Sequence, residues 1–513
     1  MKKCIKIIVI LLMEINVYTQ PTNKFTNDIS VPSPEAASLG KYADIPINLA
    51  NGTGSASIPI GGIKSGPLGI DVSLNYHLGG LRLSEMASWV GLGWSLSAGG
   101  MISRTVLGTH DDYHSYGQGY YFSGHTLLHP YNTVHTNDLP DPSDYTHVKN
   151  QVRAASTTYM DSEPDIFNFN FGGYSGKFVF RINSPTDKQI VQLTKSDVKI
   201  ALLNLDVNHN FVRFQITTPD GTKYIFGSTD DTAIEKTNVT LANQIYNTSW
   251  YLTEIKSSDD KYTIKLSYTS EGWLTTSSNP TQTVYPYISG LATYCGDTNP
   301  NNLPTSSFQY SSNILDNVYS GWRLNKIYSE LDTIVLVANT TREDLANAKR
   351  LDEIRIKTAS TDQANPFCKV FQLSYDYMVS AGSATDNRKK RLRLLSVAEK
   401  SCDNSLTVPP YTLEYHSGVL PERLSLERDH WGYYNGSGTT NGSSNFGGIP
   451  PNPIYESSVN PGYYDLWATG NRTTDENSAK IGTLQKIHYP MGGRREIDIE
   501  SNDYSKTTCN TSN

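Results

Sequence analysis

The chain has 513 residues, 37% hydrophobic and 18% charged, a folded composition too long for one ordinary core. Its formal charge is −7, from 43 basic and 50 acidic side chains, so no large basic field exists to attract nucleic acid. Tyrosine is abundant, with 33 copies against 14 phenylalanines, which suits half-exposed strands.

Residues 1–20 read MKKCIKIIVILLMEINVYTQ, with Lys2, Lys3 and Lys6 ahead of a short apolar run from Ile7 to Met13. This is the pattern of a secretory signal peptide and is too short to span a bilayer. It predicts a secreted or cell-surface chain with no transmembrane segment in its mature form. Beyond the leader lie Cys295, Cys368, Cys402 and Cys509, none spaced C-x-x-C, which argues against a zinc knuckle or a redox pair. Export permits disulfides, and Cys368 with Cys402, each in or beside a strand-like run, is the candidate pair, with two free buried thiols as the alternative.

From residue 21 the chain alternates apolar and polar positions with period two. In a first β module, 21–107, Ile58 and Ile60, then Ile70, Val72 and Leu74, fall on single faces. Residues 108–160 are dense in His, Asp, Tyr and Ser and read as a long polar loop. A main antiparallel region, 161–432, contains a hairpin signal at Pro219-Asp220-Gly221 and another around Ser257 to Asp260. Within it, Thr341 and Asp344 open a capping-box-like start that predicts a short helix near 342–350. RKKRLRLL at 388–395 reads as a solvated strand start, with contact to an anionic surface as the alternative. A loop-rich segment, 433–480, precedes a last stretch, 481–513, resembling the start of a repeat. The expected class is all-β, with antiparallel strands and hairpins in several packed sheets, sandwich- or shell-like. No β-helix-β rhythm appears, which disfavours a doubly wound sheet.

The stretch ASWVGLGWSLSAGG, 87–100, invites two enzymatic readings, and its spacing rejects both. A dinucleotide loop needs G-x-G-x-x-G before a helix, but Gly91 and Gly93 are followed by Leu96 at the third position and then by a strand pattern. A nucleophile elbow needs G-x-S-x-G, but Ser97 stands where the second glycine belongs. The expectation is architectural. Gly91 and Gly93 allow close approach, Trp89 and Trp94 fill the space, and Gly99 and Gly100 bend the chain. His110, Asp111, Asp112 and His114 lack zincin spacing and read as a polar loop, so no metal and no cofactor is expected. Trp431, Tyr433 and Tyr434 in HWGYYNG are candidate sugar-facing aromatics, with core packing as the alternative. Glycosidase carboxylates far apart in sequence carry no spacing signal, so a glycoside hydrolase is a further alternative.

Several segments together resemble a known family. PSPEAASLGKYADIPINLANGTGSASIPI, LGIDVSLNYHLGGLRLSEMASWVGLGWSLSAGGMISRTVLGTHDDY, EPDIFNFNFGGYSGKFVF, ITTPDGTKYIFG, SWYLTEI, RDHWGYYNG and GTLQKIHYPMGG are similar to the amino-terminal region of secreted RHS/YD-repeat proteins of Bacteroidetes type. More distantly, they resemble the amino-terminal regions of the toxin-complex B component and of the virulence-plasmid toxin. The resemblance implies a β-rich module preceding a YD-repeat array, in a family whose repeats wind a β shell around a carboxy-terminal toxin or effector. Only loose YD-like pieces occur here, KLSYTSEGWL and LSYDYM, so the expectation is a truncated or stand-alone leading segment. The expected function is non-enzymatic and structural, with a downstream repeat-bearing chain or a cell-surface glycan as partner. A carbohydrate- or surface-binding module is the alternative.

Overall fold

Period-two burial organises the chain. In Leu68–His77 the side chains alternate between buried and more exposed, and Ile70, Val72 and Leu74 are all buried. In Thr53–Ser65, Ala56, Ile58, Ile60 and Ile63 are buried while Ser57 and Pro59 face outward. Each such aliphatic side chain contributes about 1.5–3 kcal/mol on burial. The computed structural model describes residues 47–48, 53–114, 119–122, 161, 163–184, 186–239, 244–277, 281–287, 307–314, 316–358, 367–382, 386–403, 405–438 and 471–500. The leader 1–20, most of the polar loop 108–160, and Cys295 and Cys509 lie outside them.

Two compact units form. Among the described residues, the smaller comprises parts of Arg104–Ile166 and Phe178–Val191, and the larger parts of Val31–Ser103, Phe167–Lys177 and Gln192–Asn513. The division cuts across the segments 21–107 and 161–432. Within the larger unit, Met101 to Ser103 pair with Tyr251 to Ser249 in the strand Gln244–Lys256.

That unit is all-β and antiparallel. Its ladder runs from Lys199–Leu205 through Phe211–Thr217, Lys223–Gly227, Gln244–Lys256, Thr263–Ser277, Asp316–Tyr328 and Asp332–Val337. It continues through Glu353–Thr358, Phe367–Val379, Lys390–Ser401, Tyr411–Tyr415 and Leu484–His488 to Arg494–Glu496. The Pro219-Asp220-Gly221 turn closes as its residues dictate. The Gly221 N–H donates to the Thr218 carbonyl at 2.9 Å with Gly221 at φ 85°, and the Asp220 carboxylate accepts from Thr222 N–H at 3.1 Å. Thr237 and Asn238 also pair with Asp316–Tyr328, which folds the strand Ile234–Val239 against two neighbours. Trp250, fully buried, meets Phe167 and Phe214 at ring distances of 5.9 and 5.0 Å and donates its indole N–H to the Phe211 carbonyl at 2.8 Å.

The helix expected near 342–350 does not form. Thr341 and Lys349 instead bridge a loop in which Asn347 takes φ 68°. Asp344 does not cap a helix: it holds Arg342 through two hydrogen bonds of 3.0 and 2.9 Å and accepts from Leu392 N–H at 3.1 Å. These buried bonds, the one from Leu392 long-range, override two turns of favourable local propensity. The described helices are elsewhere and short. Glu476–Lys480 is capped by Asp475, which accepts from Ser478 N–H at 2.7 Å, and Asn387–Lys389 makes a single tight turn.

Cys368 and Cys402 are joined in a disulfide, with Cα atoms 5.6 Å apart and a sequence separation of 34. Closing a loop of that length removes enough unfolded-chain freedom to contribute about 4 kcal/mol. Replacing both cysteines with serine is expected to lower the unfolding midpoint by several degrees, about the effect of adding reductant to the native chain; calorimetry with and without reductant checks this.

Candidate functional site

The stretch 87–100 sits in the interior of the larger unit. Trp94, 1% exposed, begins the strand Trp94–Ser97, which pairs with Tyr76 to Ser73. Its indole N–H donates to the Tyr415 hydroxyl at 3.0 Å, and that hydroxyl donates to the Leu394 carbonyl at 2.6 Å. Trp89 is 6% exposed, and its carbonyl accepts from Leu351 N–H at 3.0 Å. Leu92 N–H donates to the Leu392 carbonyl at 2.8 Å, so the turn is stitched to a strand three hundred residues away. Gly93 has φ 75°, and a Cβ there would lie 2.5 Å from the Tyr76 ring. A Cβ on Gly100 would strike the backbone and side chain of Phe171. Ser95 lies buried on a regular strand opposite Asn75, not on a strained turn.

Beside this stretch the larger unit opens into a small cleft. Trp89 and Gly99 reach its wall, with Tyr251, Tyr268, Tyr319 and Trp322. The Tyr251 and Tyr268 rings lie 5.2 Å apart. Five charged residues also line it: Glu235, Glu271, Arg323, Arg342 and Lys349. Glu235 is buried and accepts from the Tyr251 hydroxyl at 3.0 Å and the Ser249 hydroxyl at 3.3 Å. Glu271 accepts from Lys349 N–H at 2.8 Å and lies 3.4 Å from Arg323 Nε; burial pushes its carboxyl above the usual carboxylate range.

The smaller unit holds a buried polar cluster. Arg104 Nε meets Asp165 at 2.7 Å and its terminal nitrogen meets Asp112, which also meets His110 Nδ1 at 2.8 Å. Asp111 and Asp165 exchange backbone-to-carboxylate bonds, each of 2.9 Å. One oxygen of Asp111 and one of Asp161 are buried without a hydrogen-bond partner among the described residues. Desolvation first, then repulsion from Asp165, holds the Asp111 acid well above its usual range; desolvation pushes Asp161 up to about 7. Among the described residues, no group of three or more His, Cys, Asp or Glu side chains is placed to hold a metal ion.

Because these folded-state values are raised, the folded unit binds protons that the unfolded chain releases. Its stability is therefore fully present below about pH 4 from these groups and is lost as pH rises toward and through about 7. Local opening of residues 104–114 in hydrogen exchange is expected to increase across that window. Asp161→Asn, which cannot ionise, should flatten the slope.

The other expected residues fall as follows. Trp431 is 62% exposed, but the Tyr433 hydroxyl is tied to the Gly79 carbonyl at 2.8 Å and Tyr434 is half-buried in a bridge to Arg428, so one open ring remains rather than a three-ring platform. Within 388–395, Arg391 is not solvated: its guanidinium is buried against the Leu83 and Pro421 carbonyls at 3.1 and 2.9 Å, and burial pushes it down to about 10. Sequence reasoning missed Glu235, Glu271 and Arg323 because each lies on a separate strand, and it missed Asp165 because it joins Arg104 only in three dimensions.

The fold thus defines an all-β antiparallel protein. No protein-family model matches the chain, and no curated protein matches it. Among solved structures, the crystal structure of TcdB2-TccC3 is similar over 72% of this chain and 16% of that one, at 13% identity and a TM-score of 0.33. The chain thus corresponds to about a sixth of that structure's length, and a likeness this low assigns no function. Among the described residues, no helix is long and apolar enough to cross a membrane.

Proposed function

We propose that this chain is a non-enzymatic, secreted or cell-surface structural module of the kind that leads RHS/YD-repeat proteins. The observation that carries the reading is the unbroken antiparallel ladder from Lys199–Leu205 to Arg494–Glu496, into which the tryptophan- and glycine-rich stretch is packed. A segment whose most motif-like residues are fixed inside the fold serves assembly better than turnover. The partner this reading expects is a YD-repeat chain, and export proceeds through the leader at 1–20. Co-expression with a repeat-bearing chain, followed by size exclusion with light scattering, tests it. Co-elution at the summed mass is expected; elution as a free monomer at every ratio would count against the scaffold role.

A further inference from the structure

We propose that the cleft beside the tryptophan–glycine stretch is a binding site for a neutral monosaccharide unit. This is independent of the scaffold reading, since a scaffold can carry such a site or lack it. Two irregularities of the ladder build the cleft. Ser270 pairs with Trp322 and Gly272 with Gly321, which leaves Glu271 as the extra residue of a β-bulge. Glu235 pairs with Ser249 and Lys236 with Asn247, which leaves Thr248 as the extra residue of a second bulge beside Glu235. Bulges re-aim side chains at the cost of ladder bonds, and here both bring a carboxylate to the same cleft.

The polar groups match hydroxyls rather than ions. Arg342 is neutralised by Asp344 at 2.9 Å, and the remaining pairs, Glu235 and Glu271 against Arg323 and Lys349, balance in charge. A cation would face two positive groups and an anion two carboxylates, whereas a sugar hydroxyl both donates and accepts. Acceptor and donor capacity remain. The described residues donate to Glu271 through Oε1 and not through Oε2, and Arg323 Nε has no aligned acceptor, although Glu271 is within ion-pair range. Half-buried Trp322 and Tyr268 supply apolar ring faces for the C–H side of a pyranose.

The test titrates the full chain with glucose, galactose, mannose and N-acetylglucosamine, and with glucuronate and glucosamine as charged controls, reading tryptophan fluorescence and saturation-transfer NMR. At least one of these sugars is expected to bind saturably. Trp322→Ala and the nearly isosteric Glu271→Gln should each weaken it about tenfold or more, while Trp431→Ala leaves it unchanged. Near-UV circular dichroism verifies the fold of each variant, and Glu271→Gln suffices if Trp322→Ala fails to fold. The proposal is overturned if no neutral sugar saturates, if only glucuronate or glucosamine binds, or if binding follows Trp431 instead of Glu271. Since none of these readouts involves a repeat-bearing chain, failure here leaves the scaffold reading intact.

Discussion

Trp94→Ala is expected to destabilise the larger unit by about 3–5 kcal/mol, the range for truncating a large aromatic in a packed core. The indole is 1% exposed and packs against Tyr76 at a ring distance of 5.3 Å. Its removal leaves a cavity between the strands Leu68–His77 and Tyr411–Tyr415 and takes a donor from the Tyr415 hydroxyl. Trp94→Phe separates the two effects. It keeps most of the apolar volume and loses the hydrogen bond, for an expected cost nearer 1–2 kcal/mol, roughly that of one buried bond plus a smaller void. Urea unfolding of both variants checks the order. Equal losses would show that the hydrogen bond, not the volume, dominates.

Arg104→Met is expected to cost a similar amount in the smaller unit, about 3–5 kcal/mol, because it leaves buried carboxylates without their cation. Arg104 is 1% exposed and bonds both Asp112 and Asp165, while Asp111 and Asp161 already stand buried nearby. The loss should be pH-dependent with a definite sign. Without the guanidinium the acids can relieve the penalty only by protonation, so the variant approaches the parent at acid pH and departs from it as pH rises toward neutrality. Pulse proteolysis of both proteins across that range reads the difference. A pH-independent loss would show that Arg104 acts through packing rather than charge.

The strands were legible because burial on one face leaves a period of two, and that pattern survives without neighbours. Ile58, Ile70, Val72 and Leu74 are buried as their spacing requires. The turn at Gly221 was legible for an equally local reason, a residue tolerant of φ 85°. The loop at 341–349 was not, because Asp344 finds Arg342 and Leu392 N–H in preference to a helix N-terminus. Arg391 and Arg104 were illegible in the same way: a charged residue reads as exposed until the carbonyls or carboxylates that enclose it are known. The cleft carboxylates Glu235 and Glu271 depend on bulges, and a bulge is a fact of pairing between strands rather than of either strand alone. The tryptophan–glycine stretch lay between these cases. Its spacing excluded a phosphate loop and a serine elbow, but only the pairing of Tyr76 with Trp94 and of Leu92 with Leu392 says what it holds together.

Native-state hydrogen exchange across residues 87–100 tests the central claim most directly, that this stretch is internal architecture of a scaffold. The amides of Leu92 and Trp94, bonded to the carbonyls of Leu392 and Gly91, are expected to exchange only through global opening of the larger unit, at a rate unaffected by added dinucleotide or nucleoside triphosphate. Fast local exchange, or protection that appears when either ligand is added, would contradict the account and return the stretch to the binding-loop reading.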